Sequence, residues 1–154
     1  MVYKIAFTTK WADFDPNKHM RHTSYNDYAA ECRIRFFNDY GLTTALFETQ
    51  NIGPVLFKEE TSFYREIKLG ESIKIDLRLK ACSENAERFK MLHHIYKDDG
   101  VLAAEVQVYA AWLDLKKRKL ITPPAIFKEV FNQLDRTEDF EEILLKSKIQ
   151  KPIY

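Results

Sequence analysis

The sequence predicts an α+β domain: a five-stranded antiparallel sheet wrapped around one long central helix, with a C-terminal helix or helices. Three observations carry this expectation. From Tyr25 to Tyr40, apolar residues recur at helical spacing around much of the circumference. Four strand-like runs follow, and in Ser72 to Cys82 the residues Ile73, Ile75, Leu77, Leu79 and Ala81 alternate strictly with Lys74, Asp76, Arg78 and Lys80. Asp99-Gly100 is a hairpin signal joining the last two runs, so those neighbours are antiparallel. At 154 residues, 45% hydrophobic and 31% charged, the chain is long enough to bury one real core.

Each element has its own local reason. Val2 to Trp11 is rich in β-branched and aromatic residues and reads as the first strand. Thr23 or Ser24 can cap the long helix, whose stripe is Tyr25, Tyr28, Ala29, Cys32 and Phe36, widened by Ala30, Ile34 and Phe37. Asn26, Asp27, Arg33, Arg35, Asn38 and Asp39 form its polar side, and Gly41 follows where a left-handed residue ends a helix. Leu42 to Ile52 has room for a helical turn. Pro54 to Lys68, Ser72 to Cys82, Arg88 to Lys97 and Val101 to Leu115 are the four strands. The last is apolar on both faces, with Val106, Val108, Ala110 and Trp112 against Ala103, Tyr109, Ala111 and Leu113, as in a central strand or one covered by a second subunit. Thr122-Pro123-Pro124 opens a C-terminal helix. Residues 1–134 form the main domain. The charged stretch 135–154 is expected to extend it with a short helix striped by Phe140, Ile143 and Leu144.

Composition narrows the function classes. A net charge of +1 gives no electrostatic case for nucleic acid or an anionic membrane as partner. Cys32 and Cys82 fit no metal or redox spacing and read as free thiols of a reducing compartment. No apolar run suits a signal peptide or a bilayer span, so the expected location is cytoplasmic. A sheet with one face on a helix leaves its other face and its edges to be covered. A homodimer, or a homotetramer built from it, is the simplest cover.

The stretch from Trp11 to Tyr25 concentrates Asp13, Asp15, His19, Arg21 and His22 between the first strand and the long helix. A helix start presents free N–H groups and partial positive charge, where an anion or a polarised carbonyl binds. The alternative for Asp15 is an Asx turn with Asn17 or a cap. Asp13, nearer the strand, is expected to orient the loop or pair with Arg21. His19 and His22 have a spacing compatible with metal ligation, but an isolated pair is a low-specificity pattern, and no metal is expected. His22 is placed to hold a water or orient Asp15, and His19 to order the loop. His93 and His94 face opposite ways in mid-strand and are given no function. Glu59 is read as sharing a strand face with Val55, Phe57, Thr61 and Phe63, where a carboxylate must be paired, protonated or functional. Its structural alternative is a salt bridge to Arg33 or Arg35. Glu31 has similar status in a more exposed position.

The chain resembles the hotdog-fold thioesterases, in particular the 4-hydroxybenzoyl-CoA thioesterase and acyl-CoA thioester hydrolase family. The resemblance spans about Val2 to Leu134. It rests on Asp13-Phe14-Asp15, then His19, His22 and Tyr25, then Gly53-Pro54-Val55 and the run Phe63 to Glu71. It implies a hotdog fold and hydrolysis of an acyl-CoA thioester, with Asp15 as general base or nucleophile. It further implies carbonyl polarisation by backbone N–H groups of about His22, Thr23 and Ser24, and a catalytic part for His22. Asp13, His19, Arg21, Tyr25 and Glu59 are supporting candidates. No cofactor is implied beyond the coenzyme A of the substrate. Lys18 stands where a Gly often precedes the first His, and Arg21-His22 where two Asn often follow.

The phosphates of coenzyme A call for cations; Arg88 and Lys90 are the candidates by position, with Lys116, Lys117 and Arg118 as runners-up. Two rivals use the same fold: a non-hydrolytic acyl-thioester-binding protein, and a dehydratase or hydratase, whose chemistry needs a His and a carboxylate converging on the acyl chain.

Overall fold

A computed structural model describes residues 2–145. Strand β1 (Tyr3–Phe7) leads through a single 3-10 turn (Trp11–Asp13) into helix α1 (His22–Asp39). A short helix α2 (Thr44–Gln50) precedes β2 (Ile52–Phe63), β3 (Ile73–Ser83), β4 (Arg88–Tyr96) and β5 (Leu102–Asp114). A two-residue strand β6 (Lys119–Leu120), helix α3 (Ala125–Phe131) and strand β7 (Arg136–Ile143) complete it. The strands form one sheet with the order β1-β3-β4-β5-β2, while β6 pairs with β5 and β7 with β3. The five strands of the main path are antiparallel, as expected.

Period-two patterning decides which face of the sheet receives α1. Ile75, Leu77, Leu79, Met91, Ile95, Val106, Val108 and Ala110 are buried with Ala29, Cys32, Phe36 and Phe37 of the helix. At the far end of α1 an aromatic cluster closes the core. Trp112 meets Phe127 edge-on at 4.6 Å and Phe89 meets Phe131 at 4.8 Å, while Phe37 stacks on Phe131 at 6.0 Å. Such pairs add directional packing to the area they bury. Among the described residues no helix is long and apolar enough to cross a membrane.

Three local expectations are corrected. Residues 136–143 form a strand instead of the expected helix, and positions 146–154 lie outside the described residues. The reason is tertiary. β1 pairs only with Ile73 to Leu77, and β7 takes the remaining edge of β3, from Leu79 to Ser83, in parallel. Backbone N–H and C=O groups there gain partners that a helix would leave unmade. Glu59 does not share a face with Val55 and Phe57, because a bulge between Leu56 and Lys58 shifts the register. Glu59 faces α1 with Thr61 and Phe63, as the Thr61–Asn26 hydrogen bond (2.5 Å) and the Tyr25–Phe63 ring contact (5.1 Å) show, yet it is exposed on an edge strand. Arg33, assigned to the polar side, is instead buried against the sheet.

Arg33 Nη1 donates to His93 Nε2 at 3.1 Å, and His93 Nδ1 bonds the Val106 carbonyl at 2.7 Å. The carbonyl can only accept, so Nδ1 carries the proton and Nε2 is the acceptor. Burial, then the Arg33 charge, pull the imidazole down to about 3. The unfolded chain therefore binds a proton there that the fold refuses. His93 stabilises the fold fully above its unfolded value near 6.5 and progressively less as pH falls towards 3. Replacement His93→Gln is expected to flatten this acid limb in denaturant titrations across that window; an unchanged slope would show that His93 is not its source.

Candidate active site

The loop before α1 is built largely from its own backbone. Asp15 N–H donates to the His19 carbonyl (2.9 Å) and Lys18 N–H to the Asp15 carbonyl (2.9 Å). Lys18 sits at φ 64°, in the left-handed region, where the resemblance places Gly. The turn is kept at a cost of about 1–3 kcal/mol for a non-glycine residue. Two further bonds clip the loop to the stretch after β2: Met20 N–H to the Ile67 carbonyl (2.8 Å) and Leu69 N–H to the Lys18 carbonyl (2.9 Å).

Asp15 is half-buried at the root of this turn. Its Oδ1 accepts the N–H groups of Asn17 (2.9 Å) and His19 (3.2 Å), which is the Asx turn weighed as its alternative role. Oδ2 takes no hydrogen bond from the described residues. One oxygen is thereby fixed in the turn and the other stands outside it.

Helix α1 begins at His22, three residues before the expected Tyr25, with Arg21 as its N-cap and no side-chain cap. Thr23 and Ser24 therefore lie inside the helix and do not cap it. Ser24 is buried, with its hydroxyl 3.4 Å from the Asp13 carbonyl and its N–H donated to the Arg21 carbonyl at 3.0 Å. Among the described residues, the N–H groups of His22 and Thr23 have no acceptor. These two, without Ser24, are the open donors of the helix start.

Asp13 orients the loop, through its own carbonyl and carboxylate and without an ion pair to Arg21. Its carbonyl accepts the Arg21 N–H (2.8 Å). Its buried carboxylate accepts the Lys10 N–H (2.8 Å) and the Tyr28 hydroxyl. Burial and this carboxylate together push the Tyr28 phenol up. The pair lies in the wall of a cleft of about 580 Å³ that also includes Lys10, Glu31 and Arg35.

The remaining candidates are dispersed. His19 Nε2 lies 3.1 Å from Glu66 Oε2, which ties the loop to the stretch after β2. Tyr25 is buried and bonded to the Ile67 backbone, and burial pushes its phenol up. His22 and Arg21 are exposed at the helix start. Arg88 and Lys90 lie on the sheet face away from α1: Arg88 Nη1 donates to the Tyr109 hydroxyl (3.0 Å) and Lys90 stands 5.3 Å over the Tyr109 ring. Glu31 pairs with Arg35 at 3.1 Å. Among the described residues no three His, Cys, Asp or Glu side chains are grouped to hold a metal ion. Sequence reasoning missed Tyr28 as the partner of Asp13, since an apolar-stripe tyrosine gives no sign of where its hydroxyl ends. It missed Glu66 as the partner of His19 because that contact depends on how the loop docks.

Removing the Asp13 carboxylate leaves the Lys10 N–H without its acceptor and the Tyr28 hydroxyl with only the Thr8 carbonyl, 3.5 Å away. Asp13→Ala is expected to cost about 1–3 kcal/mol of stability, the scale for orphaned buried polar groups, and Tyr28→Phe less. A thermal-melt comparison in which Tyr28→Phe is the more damaging would refute this ordering.

Comparison with known proteins places the chain. A hypothetical protein from Staphylococcus aureus, solved in complex with CoA, shares 21% identity at a TM-score of 0.81, covering 99% of this chain and 96% of that one. DHNA-CoA thioesterase from Staphylococcus aureus shares 16% at 0.78, over 86% and 89% of the two chains. A thioesterase from Thermus thermophilus, complexed with coenzyme A and Zn, shares 24% at 0.71, over 87% and 93%. No protein of curated function matches the sequence. The hotdog architecture is common to these structures. The model of the thioesterase-like superfamily matches residues 9–133, most of the described chain, and the protein belongs to that superfamily.

Proposed function

We propose that this protein hydrolyses an acyl-CoA thioester to the free acid and CoA. The observation that carries this reading is the juxtaposition in the loop. The Asp15 turn and the open N–H groups of His22 and Thr23 are joined by the Asp13 carbonyl, which receives the Arg21 N–H at 2.8 Å. The thioester carbonyl oxygen accepts from those N–H groups, which stabilise the charge that develops on it. Asp15, through Oδ2, either takes a proton from the attacking water or attacks the carbonyl carbon itself. His22, at the same helix start, holds the water or orients Asp15. His19, through Glu66, keeps the loop docked. Tyr25 and Arg21 shape the rim. The CoA-bound neighbours support CoA as the leaving group. Arg88 and Lys90, on the sheet face away from α1, are not assigned to its phosphates within one protomer. No metal is assigned a role.

The Asx turn gives one rival a specific footing. In an acyl-thioester-binding protein without hydrolysis, the Asp15 carboxylate serves the turn alone. Asp15→Asn separates the two, because an amide oxygen still accepts the Asn17 and His19 N–H groups but is neither base nor nucleophile. Free-thiol release from a panel of acyl-CoAs is expected to fall about 10²-fold or more in kcat, with the melting temperature nearly unchanged and the wild-type rate indifferent to exhaustive chelation. Unchanged turnover in the folded variant would favour the binding protein. Chelation that abolishes activity, with recovery on adding zinc or iron, would overturn the metal-free mechanism.

The working unit proposed is at least a homodimer, in the cytoplasm, joined through β2. Among the described residues nothing pairs with the outer edge of this strand, and Leu56, Phe57 and Phe63 on it and Ile34 beside it are large apolar side chains exposed to solvent. Pairing two such edges satisfies their backbone groups and covers the apolar patch. Light scattering at micromolar concentration is expected to give twice the 18.2 kDa chain mass or more. A Leu56→Asp variant is expected to shift towards the monomer. A stable wild-type monomer would contradict the proposal.

A further inference from the structure

Arg33 is a cation 9% exposed, yet no carboxylate among the described residues lies within ion-pair distance of it. Its hydrogen-bond partner is a neutral imidazole, His93. Burial pulls the guanidinium down, and the charge of Glu59 opposes this from β2 without an ion pair. A buried charge of this kind is costly unless something compensates it. The side chain also lines a cavity of about 150 Å³ between α1 and the β2–β5 side of the sheet. The rest of that wall includes Ala30, Ile34, Phe37, Leu56 and Ala110, all apolar. A cavity of about this size holds a group as large as a benzene ring.

Helix geometry relates this cavity to the helix start. His22, Asn26, Ala30 and Ile34 are spaced four apart and share one face, with Arg33 at its border. Arg33 is eleven residues beyond His22, about 16 Å along the axis, and a long helical side chain leans back towards the N-terminus. A linear acyl group with its thioester carbonyl on the His22 N–H has this face as its track.

We propose that the cavity receives the far end of the acyl group and that Arg33 recognises a carboxylate there, so that the preferred substrates are long-chain monothioesters of dicarboxylic acids. This rests on the thioesterase reading. The substrate carboxylate supplies the counter-ion that Arg33 lacks, through charge-assisted hydrogen bonds of a geometry the guanidinium favours. The apolar wall accommodates the last methylenes. Glu59, whose charge already acts on Arg33 from β2, is the competing anion.

The test compares dodecanedioyl-CoA with the thioester carrying a methyl ester at the far end. Wild-type kcat/KM is expected to favour the free carboxylate about tenfold or more, the scale of one charged hydrogen bond. Arg33→Gln is expected to bring the ratio to about one, and Glu59→Gln to raise it. Ala30→Leu fills the cavity, leaves Arg33 on His93, and is expected to erase the preference if Arg33→Gln fails to fold. A wild-type ratio near one, or a preference that survives Arg33→Gln or Ala30→Leu, overturns the proposal. If the acyl-CoA panel is cleaved but neither of these thioesters is, the proposal is overturned; if nothing in the panel is cleaved either, the thioesterase reading fails. Calorimetric binding of free dodecanedioate against its monomethyl ester, to wild type and to the same variants, then decides the role of Arg33, with equal affinities counting against it.

Discussion

The packing of α1 into the curl of the sheet is the interaction on which the rest of this structure depends. Ala29, Cys32, Phe36 and Phe37 meet the inward residues of β3, β4 and β5, and burial of such side chains contributes roughly 1.5–3 kcal/mol for each large one. With the helix axis fixed, its first turn emerges beside the stretch that follows β2. The loop from Phe14 to Met20 then has one way to close: back on itself through Asp15 and His19, and down onto Ile67 and Lys18–Leu69 contacts. The position of the candidate site is thus a consequence of core packing.

Within that loop, polar groups are divided between holding and offering. Asp13 holds on two sides: its carbonyl holds the helix start, and one carboxylate oxygen, Oδ2, takes both the Lys10 N–H and the Tyr28 hydroxyl. Asp15 is half-committed, with one oxygen in the turn. The left-handed Lys18 belongs to the same division, since the turn that exposes the second oxygen requires a backbone conformation that lysine adopts only under strain. A carboxylate fixed by its own turn needs no other partner to hold its direction, which is a useful property for a proposed base or nucleophile.

The two edges of the sheet are managed differently. On one side, β1 and β7 divide the edge of β3 between them, antiparallel along its first half and parallel along its second. On the other, β2 has no strand partner beyond β5 among the described residues, with apolar side chains at 37–52% exposure along it. The sheet face turned away from α1 carries a polar layer in place of a second helix: His94 Nδ1 lies 2.7 Å from the buried Asp76, whose other oxygen accepts the Tyr96 hydroxyl at 3.2 Å. A buried carboxylate satisfied in this way gives that face a specific hydrogen-bonded surface.

By itself, the sequence determined the class of fold and singled out the loop proposed as the site. Period-two alternation in β3, the helical stripe from Tyr25 and the Asp-Gly turn are local signals, and local physics was enough to expect antiparallel strands around one helix, though not their order. The Asp13-to-Tyr25 cluster stood out because titratable groups are rare at such density before an apolar helix. What only the tertiary structure decided is everything that depends on a distant partner. The strand at Arg136–Ile143 exists because β1 leaves half of the β3 edge unpaired. Arg33 is buried because His93, sixty residues away, accepts a hydrogen bond from its Nη1. Glu59 faces α1 because one bulge changes the parity of β2. The Ser24 N–H is withdrawn from the open donors because Arg21, and no side chain, caps the helix. A periodicity can be read in one segment, whereas hydrogen-bond satisfaction is a property of the whole fold.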